Sequence, residues 1–368
     1  SQRLVLTRRI GSFSRTFVHI PKIYIGKINS SVNRAVAIKT TIFAASNVSA
    51  SNSSSLSLRS VRVTMEIFPQ VLIAGASGLV GQSLHRHFQA NAVSCATLTR
   101  HTAQPGSTEY FWNPYRFQFR EDMRRLSGIR AAILLSGDNL MAGRWTPDKK
   151  QRIRDSRIRT TQSMVQLLSH LQQRPEVLLC ASAVGFYGDR GEEILTEDSA
   201  AGHGFLPDVC REWEAAANTA VDLGIRVVHL RFGVVLAREG GALAKMLPMF
   251  RLGLGGNLGN GRQWMSWIAL PTLVEIVEFC MNHHQVQGPV NVVANPVTNA
   301  EFSWALAHHL HRLAVVPAPA IALRLAFGEM ADAALLSSTR AIPAKLLQAG
   351  FIFNLPTLQD AFQHLLPA

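Results

Sequence analysis

At 368 residues the chain has room for one large domain, or one domain with an appended lobe, and 47% hydrophobic residues suffice for a packed core. No apolar stretch reaches the roughly 20 residues that a membrane-spanning helix needs; the best candidate, 314–327, is cut by Pro317, Pro319 and Arg324. Most of the net charge of +13 belongs to the first 64 residues, which hold ten Lys and Arg and no acid. Taking those ten from 37 leaves 27 basic residues against 24 acidic ones, so the body is nearly neutral and a nucleic-acid-binding role loses its electrostatic basis.

The acid-free, Ser- and Arg-rich composition of residues 1–64 fits a mitochondrial or plastid transit peptide, and an upstream or disordered tail reads the same way. On either reading they stand outside the fold, which is expected to begin near Met65. The expected compartment is the mitochondrion or plastid if the leader is genuine, and the cytoplasm otherwise. Cys95, Cys180, Cys210 and Cys280 lie far apart, which indicates neither a disulfide framework nor a zinc site and suits a reducing compartment.

Val71-Leu-Ile-Ala74 is a short apolar run that ends in Gly75-Ala-Ser-Gly78-Leu-Val-Gly81, three glycines spaced three apart. Residues 79–89 continue as a helix pattern. A strand that turns abruptly into a helix aims the helix's unpaired first N–H groups, and its positive dipole end, at a phosphate pair. Glycine lets that backbone turn tightly and approach the ligand. Residues 94–99 predict a second strand, and 131–135 form the continuous apolar run of a parallel strand covered on both faces. A long helix over 147–171 begins with Pro in its first turn. Strand 177–181, helix 208–223 and strand 227–230 follow. The alternation predicts an α/β fold, a Rossmann-like doubly wound parallel sheet with helices on both faces. Past Gly233, the pair Gly240-Gly241 and the glycine run of 253–261 mark loops, with further helices at 271–282 and 299–313. These later segments predict a smaller C-terminal substrate lobe, giving domains of 65–235 and 236–368 behind the leader.

In dinucleotide folds an acid at the end of the second strand accepts the ribose hydroxyls of NAD, whereas a basic residue accommodates the 2′-phosphate of NADP. Here the strand ends Thr97-Leu-Thr99-Arg100 and no acid follows before Glu109, so Arg100 points to NADP(H). Ser77, inside the glycine turn, can donate to a phosphate oxygen. The ligand crosses the carboxyl ends of the strands, which places 136–139, 181–183 and 185–189 at the mouth of the site. Ser182 and Tyr187 are the polar candidates there, Ser182 to orient a substrate and Tyr187 to supply the proton that a carbonyl reduction needs. Lys149, Lys150, Arg152, Arg154, Arg157 and Arg159 read as a solvated helix face with one Arg turned toward the cofactor. His308, His309 and His311 have no acid or Cys at ligand spacing beyond Glu301, so no metal is expected. Trp264 and Trp267 read as core more readily than as a substrate platform.

From about Met65 onward the chain resembles the atypical, extended-type short-chain dehydrogenase/reductases known as the epimerase family with a C-terminal domain of unknown function. The resemblance rests on Arg144-Trp-Thr146, Arg154-Asp-Ser-Arg157, Cys180-Ala-Ser-Ala-Val-Gly-Phe-Tyr-Gly-Asp-Arg-Gly191, Leu195-Thr-Glu-Asp198, Gly261-Arg-Gln-Trp-Met-Ser-Trp267 and Asn295-Pro-Val-Thr-Asn-Ala-Glu-Phe302. It implies a Rossmann-like fold that binds NADP(H), with the C-terminal domain near 317–365. The family's cofactor residues would fall on Gly75, Ser77, Gly78, Leu79, Val80 and Gly81, on Thr99 and Arg100, on Leu135 and Ser136, and on Arg157 and Val235.

The chain departs from related enzymes at two places. Active short-chain reductases carry a Tyr, three residues and a Lys on the helix after the Ser182 strand; here those positions fall on Phe205 and Val209, which do no acid–base work. Ala269-Leu-Pro-Thr272 stands where relatives resemble His followed by acids. Two functions therefore stay open. One is an NADP(H)-dependent oxidoreductase or epimerase acting on a small polar substrate. The other is a non-catalytic NADP(H)-binding regulatory or scaffold protein, linked in related proteins to cell or organelle division. Analogy to such folds adds a homodimer through the long helices as an expectation.

Overall fold

Strand β1 (Val71–Ala74) turns Val71 and Ile73 to one face and Leu72 and Ala74 to the other, and all four are buried. A strand apolar on both faces must be covered on both, which dictates a three-layer arrangement. The structure, a computed structural model, describes residues 38–42, 63–67, 69–103, 107–314 and 316–367. The leader of residues 1–64 lies outside these, apart from Ile38–Ile42 and the start of its antiparallel partner Val63–Ile67.

Parallel to β1 run β2 (Cys95–Thr99), β3 (Glu109–Asn113), β5 (Ala131–Leu134), β6 (Val177–Ala183), β7 (Arg226–Phe232) and β8 (Gly288–Val292), while the short β4 (Gln118–Phe119) pairs antiparallel to β3. The spatial order is β8-β7-β6-β5-β1-β2-β3-β4. The chain thus moves outward from β1 through β4, then returns to β1's other side as β5. Ala74 lies opposite Leu98 on one flank and Leu134 on the other, so Gly75, Thr99 and Leu135 leave the sheet side by side. This reversal is where a doubly wound sheet opens a crevice for ligand.

Helices α1 (Leu79–Ala90), α4 (Gly241–Arg251) and α5 (Leu270–Asn282) bury Leu84, Phe88, Leu243, Leu247, Leu273 and Val277 against one face. On the other, α2 (Pro147–Ser169) and α3 (Phe205–Asn218) bury Met164, Leu168, Trp213 and Ala217. The C-terminal helices α6 (Asn299–His309) and α9 (Leu358–Leu365) join the first of these cores, with Phe302 set edge-on to Phe362 at 5.6 Å. Between them lie α7 (Ala320–Phe327) and α8 (Ala344–Gln348). Among the described residues no helix is long and apolar enough to cross a membrane.

Some elements differ from the sequence reading. Strand β3 is an aromatic centre, Tyr110-Phe-Trp112, between polar ends, too short for a clear period. Helix α4 forms although Gly241 opens it at φ +70° and Pro248 lies inside it, because Leu243, Leu247 and Phe250 share one buried stripe. Helix α3 begins three residues earlier than expected, where Gly204 takes φ +106° just before Phe205. Trp267 is fully buried, as a core residue, with its indole N–H on the Asn295 carbonyl.

One carboxylate ties the C-terminal segment to the sheet. Glu197 is buried; its Oε1 accepts the Asn291 N–H of β8 at 3.0 Å, and its Oε2 accepts the Lys345 N–H of α8 at 3.2 Å. The Asn291 amide nitrogen also donates to the Ile342 carbonyl.

Candidate functional site

The site starts at the glycine turn. Gly75 takes φ +88°, where a side chain is strained, and a Cβ on it would stand 2.9 Å from the backbone of Leu135 and Ser136. A Cβ on Gly81 would lie 2.2 Å from the Gly75 carbonyl oxygen, so α1 can pack this close to the turn only with glycine there. Gly78 is the N-cap of α1; a Cβ on it would meet nothing nearer than 3.5 Å. No side chain caps this helix and its first turn carries no acid. Its opening amides, those of Leu79, Val80 and Gly81, have no intrahelical acceptor and form a ready anion site with the dipole behind them. Ser77 is exposed at the same turn.

The neighbouring strand ends complete a rim. Thr99 accepts the His101 N–H on Oγ1, and Arg100 is exposed beside it at the end of β2. On the other flank the Leu135 N–H donates to the Ala74 carbonyl at 2.9 Å, bringing Ser136 against Gly75. Val235 belongs to Val234–Leu236, paired parallel with Trp267–Ala269. Its carbonyl would lie 3.1 Å from a Cβ on Gly241, and Gly240 and Gly241 both abut Leu79. Gly240 and Gly241 thus bring the Val235 segment against the start of α1.

Helix α2 supplies the cations behind this rim. Thr146 caps it by accepting the Lys149 N–H. Arg157 donates to the carbonyls of Ile153 at 3.0 Å and Asp138 at 3.2 Å and lies over the Trp213 ring at 5.2 Å. Burial lowers its guanidinium below the usual range. The rest of the basic run does not form a uniform solvated face. Lys150 pairs with Glu329 and Arg154 with Glu212, but Lys149 is buried against Asp138. The run could not reveal this, because the acid that draws Lys149 inward arrives from a loop.

Ser182 and Tyr187, expected at the mouth, are both buried and hydrogen-bonded to neighbouring side chains. Ser182 is 2% exposed and donates its hydroxyl to Glu214 Oε1 at 2.7 Å. Glu214 in turn takes two parallel N–H bonds from Arg231, both 2.9 Å. Arg231 also donates to the Tyr187 oxygen at 2.9 Å and lies 3.6 Å over the Phe186 ring. Tyr187 is 0% exposed, with its single proton aimed at Asn291 Oδ1 at 2.7 Å and the Thr196 carbonyl at 2.9 Å. Burial raises its phenol and Arg231 offsets this only in part, so the group is a poorer acid than free tyrosine. For Glu214, burial alone would raise the carboxyl, but the Arg231 contact outweighs it and the net shift is downward. The signal missed in the sequence was Arg231 itself. A charge inside an apolar parallel strand, Leu230-Arg-Phe232, requires a buried partner.

Phe205, expected where active short-chain reductases carry Tyr, stacks edge-on to Trp145 at 5.3 Å with the Lys150 ammonium 5.0 Å above its ring, and Val209, expected at the Lys position, is buried. An apolar cluster of Trp145, Ile153, Met330 and their neighbours fills this corner. Trp264 lies further out, donating to Glu192 and covered by Arg340 at 3.9 Å.

Comparison with known proteins agrees with this geometry. The sequence pattern of the NAD dependent epimerase/dehydratase family matches residues 71–293, and that of a domain of unknown function, DUF1731, matches residues 318–365. An epimerase family protein of Mycobacterium leprae is 39% identical over 295 residues, covering 80% of this chain and 94% of the relative. The chloroplastic SDR39U1 homolog of Arabidopsis thaliana is 34% identical, over 80% of this chain and 85% of its own. The crystal structure of human epimerase family protein SDR39U1 with NADPH superposes with a TM-score of 0.72 at 29% identity, covering 80% of this chain and 98% of that one. A Thermus thermophilus UDP-glucose 4-epimerase solved with NAD shares the fold, with a TM-score of 0.61 at 16% identity over 80% of this chain and 97% of its own. With its glycine turn at the reversal of a doubly wound sheet and DUF1731 at its end, the chain belongs to the NAD dependent epimerase/dehydratase family.

Proposed function

We propose that this chain binds NADP(H) along the carboxyl edge of its sheet and uses it, as an oxidoreductase or epimerase, on a small polar molecule. One observation carries the cofactor reading: a turn in which Gly75 and Gly81 leave no room for a side chain opens an uncapped, acid-free helix at the β1–β5 reversal. The residues present fit a dinucleotide. The amides of Leu79, Val80 and Gly81, with the Ser77 hydroxyl, would hold the pyrophosphate around Gly78. Thr99 and Arg100 would meet the adenosine ribose and its 2′-phosphate. Leu135, Ser136, Arg157 and Val235 would flank the remainder. When bound, the reduced nicotinamide would supply a hydride. The NADPH found in the human relative's crystal structure supports the phosphorylated form.

A second reading, a non-catalytic NADP(H)-binding protein, is favoured by a specific observation. Phe205 and Val209, read from the sequence as standing where active short-chain reductases carry Tyr and Lys, are apolar and packed inside, and the Tyr187 hydroxyl is bonded within the interior. Titration of the protein with NADPH and NADH tests the shared claim. Wild type should prefer NADPH, and Arg100→Ala should lose about tenfold in NADPH affinity while NADH affinity stays unchanged. Equal binding by wild type and Arg100→Ala removes Arg100 from the site. Turnover of any carbonyl compound or nucleotide sugar in a screen with NADPH rejects the non-catalytic reading.

A further inference from the structure

One lysine of the basic run is drawn inside. Lys149, in the first turn of α2, keeps only 6% of its side chain exposed and sends Nζ to Asp138 Oδ2 and to the Asn139 carbonyl, each at 2.8 Å. A buried ammonium is costly unless its partners are well placed, so this geometry is specific. Burial alone would raise the Asp138 carboxyl, but the Lys149 contact more than offsets it, and Asp138 stays ionised. Two more residues of the same helix grip the same loop. Ser156 Oγ accepts the Asp138 N–H at 2.9 Å, and Arg157 donates to the Asp138 carbonyl. Gly137 lies against the Arg157 guanidinium, whose Cζ would be 3.4 Å from a Cβ there. Amide, carbonyl and side chain of Asp138 are thus all fixed from α2.

Loop 136–139 follows β5, the first strand of the second half of the sheet. In a doubly wound fold each half receives one mononucleotide, and the half that contains β1 and β2 takes the adenosine. The half that begins with β5 is left for the nicotinamide end. We infer that Lys149 is a positioning residue: by holding Asp138 and Asn139 it presets loop 136–139 as a shelf for the nicotinamide half of the dinucleotide. This rests on the cofactor reading above and adds to it a division of labour between the two halves.

The experiment compares two ligands on the full chain by isothermal titration: NADPH, and adenosine 2′,5′-bisphosphate, which has the phosphorylated adenosine and no nicotinamide. Lys149→Met should weaken NADPH about tenfold and leave the bisphosphate within about twofold. Asp138→Asn keeps an acceptor for Nζ but removes the charge; it should weaken NADPH about threefold and again spare the bisphosphate. A loss shared equally by both ligands, as general loosening would produce, overturns the inference. So does NADPH binding that neither variant alters. Wild-type protein that binds neither ligand overturns the cofactor reading itself and takes the inference with it. If Lys149→Met fails to fold, the ratio of the two affinities in Asp138→Asn decides alone.

Discussion

The two ends of this sheet edge are built in opposite ways. At β1 and β5 the chain removes side chains, and Gly75, Gly78 and Gly81 leave helix amides facing outward without partners of their own. At β6 and β7 the edge is filled by Ser182, Glu214, Arg231, Tyr187 and Asn291, which satisfy one another in the interior. Both ends lie in matching stretches of family sequence, yet they differ in kind: the first leaves backbone amides open at the surface, and the second ties its charged side chains to one another. A polar residue in a shared motif does not locate chemistry; unsatisfied and accessible polar capacity does.

The filled end should be the more fragile to single changes. Arg231→Met leaves Glu214 buried without its cation and should cost about 3–5 kcal/mol in urea denaturation, whereas Arg231→Met with Glu214→Leu should recover much of that. A single variant as stable as wild type would show that the pair is not a buried unit. At the open end, Gly81→Ala forces a carbon to within 2.2 Å of the Gly75 oxygen. It should cost about 3 kcal/mol and abolish NADPH binding, while Gly78→Ala should change stability by less than about 1 kcal/mol. Similar melting of the two variants would dissolve the distinction between these glycines.

The filled end also predicts a pH dependence. His229 on β7 is 2% exposed, bonded through Nε2 to Asn218, and burial pushes its imidazole down to about 4. The unfolded chain therefore takes up this proton first, from about 6.5 downward. The resulting stability is complete above that pH and is lost as pH falls toward about 4. Between pH 7.5 and 5 wild type should lose about 2 kcal/mol more than His229→Gln; parallel losses would place the titration elsewhere. A modest effect is expected of Tyr187→Phe, which removes three buried contacts and should cost about 1–2 kcal/mol without altering NADPH affinity. A clear drop in cofactor affinity would return Tyr187 to the site.

Much of the open end was legible in the sequence because it depends on neighbours along the chain. The β1 alternation, the spacing of the glycines and the Pro at the start of α2 are local signals with local causes. The contacts of the filled end were not legible, because Ser182, Glu214, Arg231 and Asn291 come from four elements whose meeting no spacing along the chain encodes. Lys149 was hidden for the same reason: among five other cations, nothing in the run distinguishes the one that meets Asp138. Helix α4 was obscured by local evidence that tertiary packing overrode, since its Gly and Pro signal loops while its apolar stripe is buried.

The Glu197 carboxylate has a consequence for where this protein can be divided. The two matched regions suggest a seam near Pro317, but each oxygen of Glu197 holds a backbone amide from a different side of it. A chain severed there would strand an anion in an apolar interior, with one of its two ligating amides gone. The last fifty or so residues thus complete the nucleotide-binding half and are not cargo that it carries.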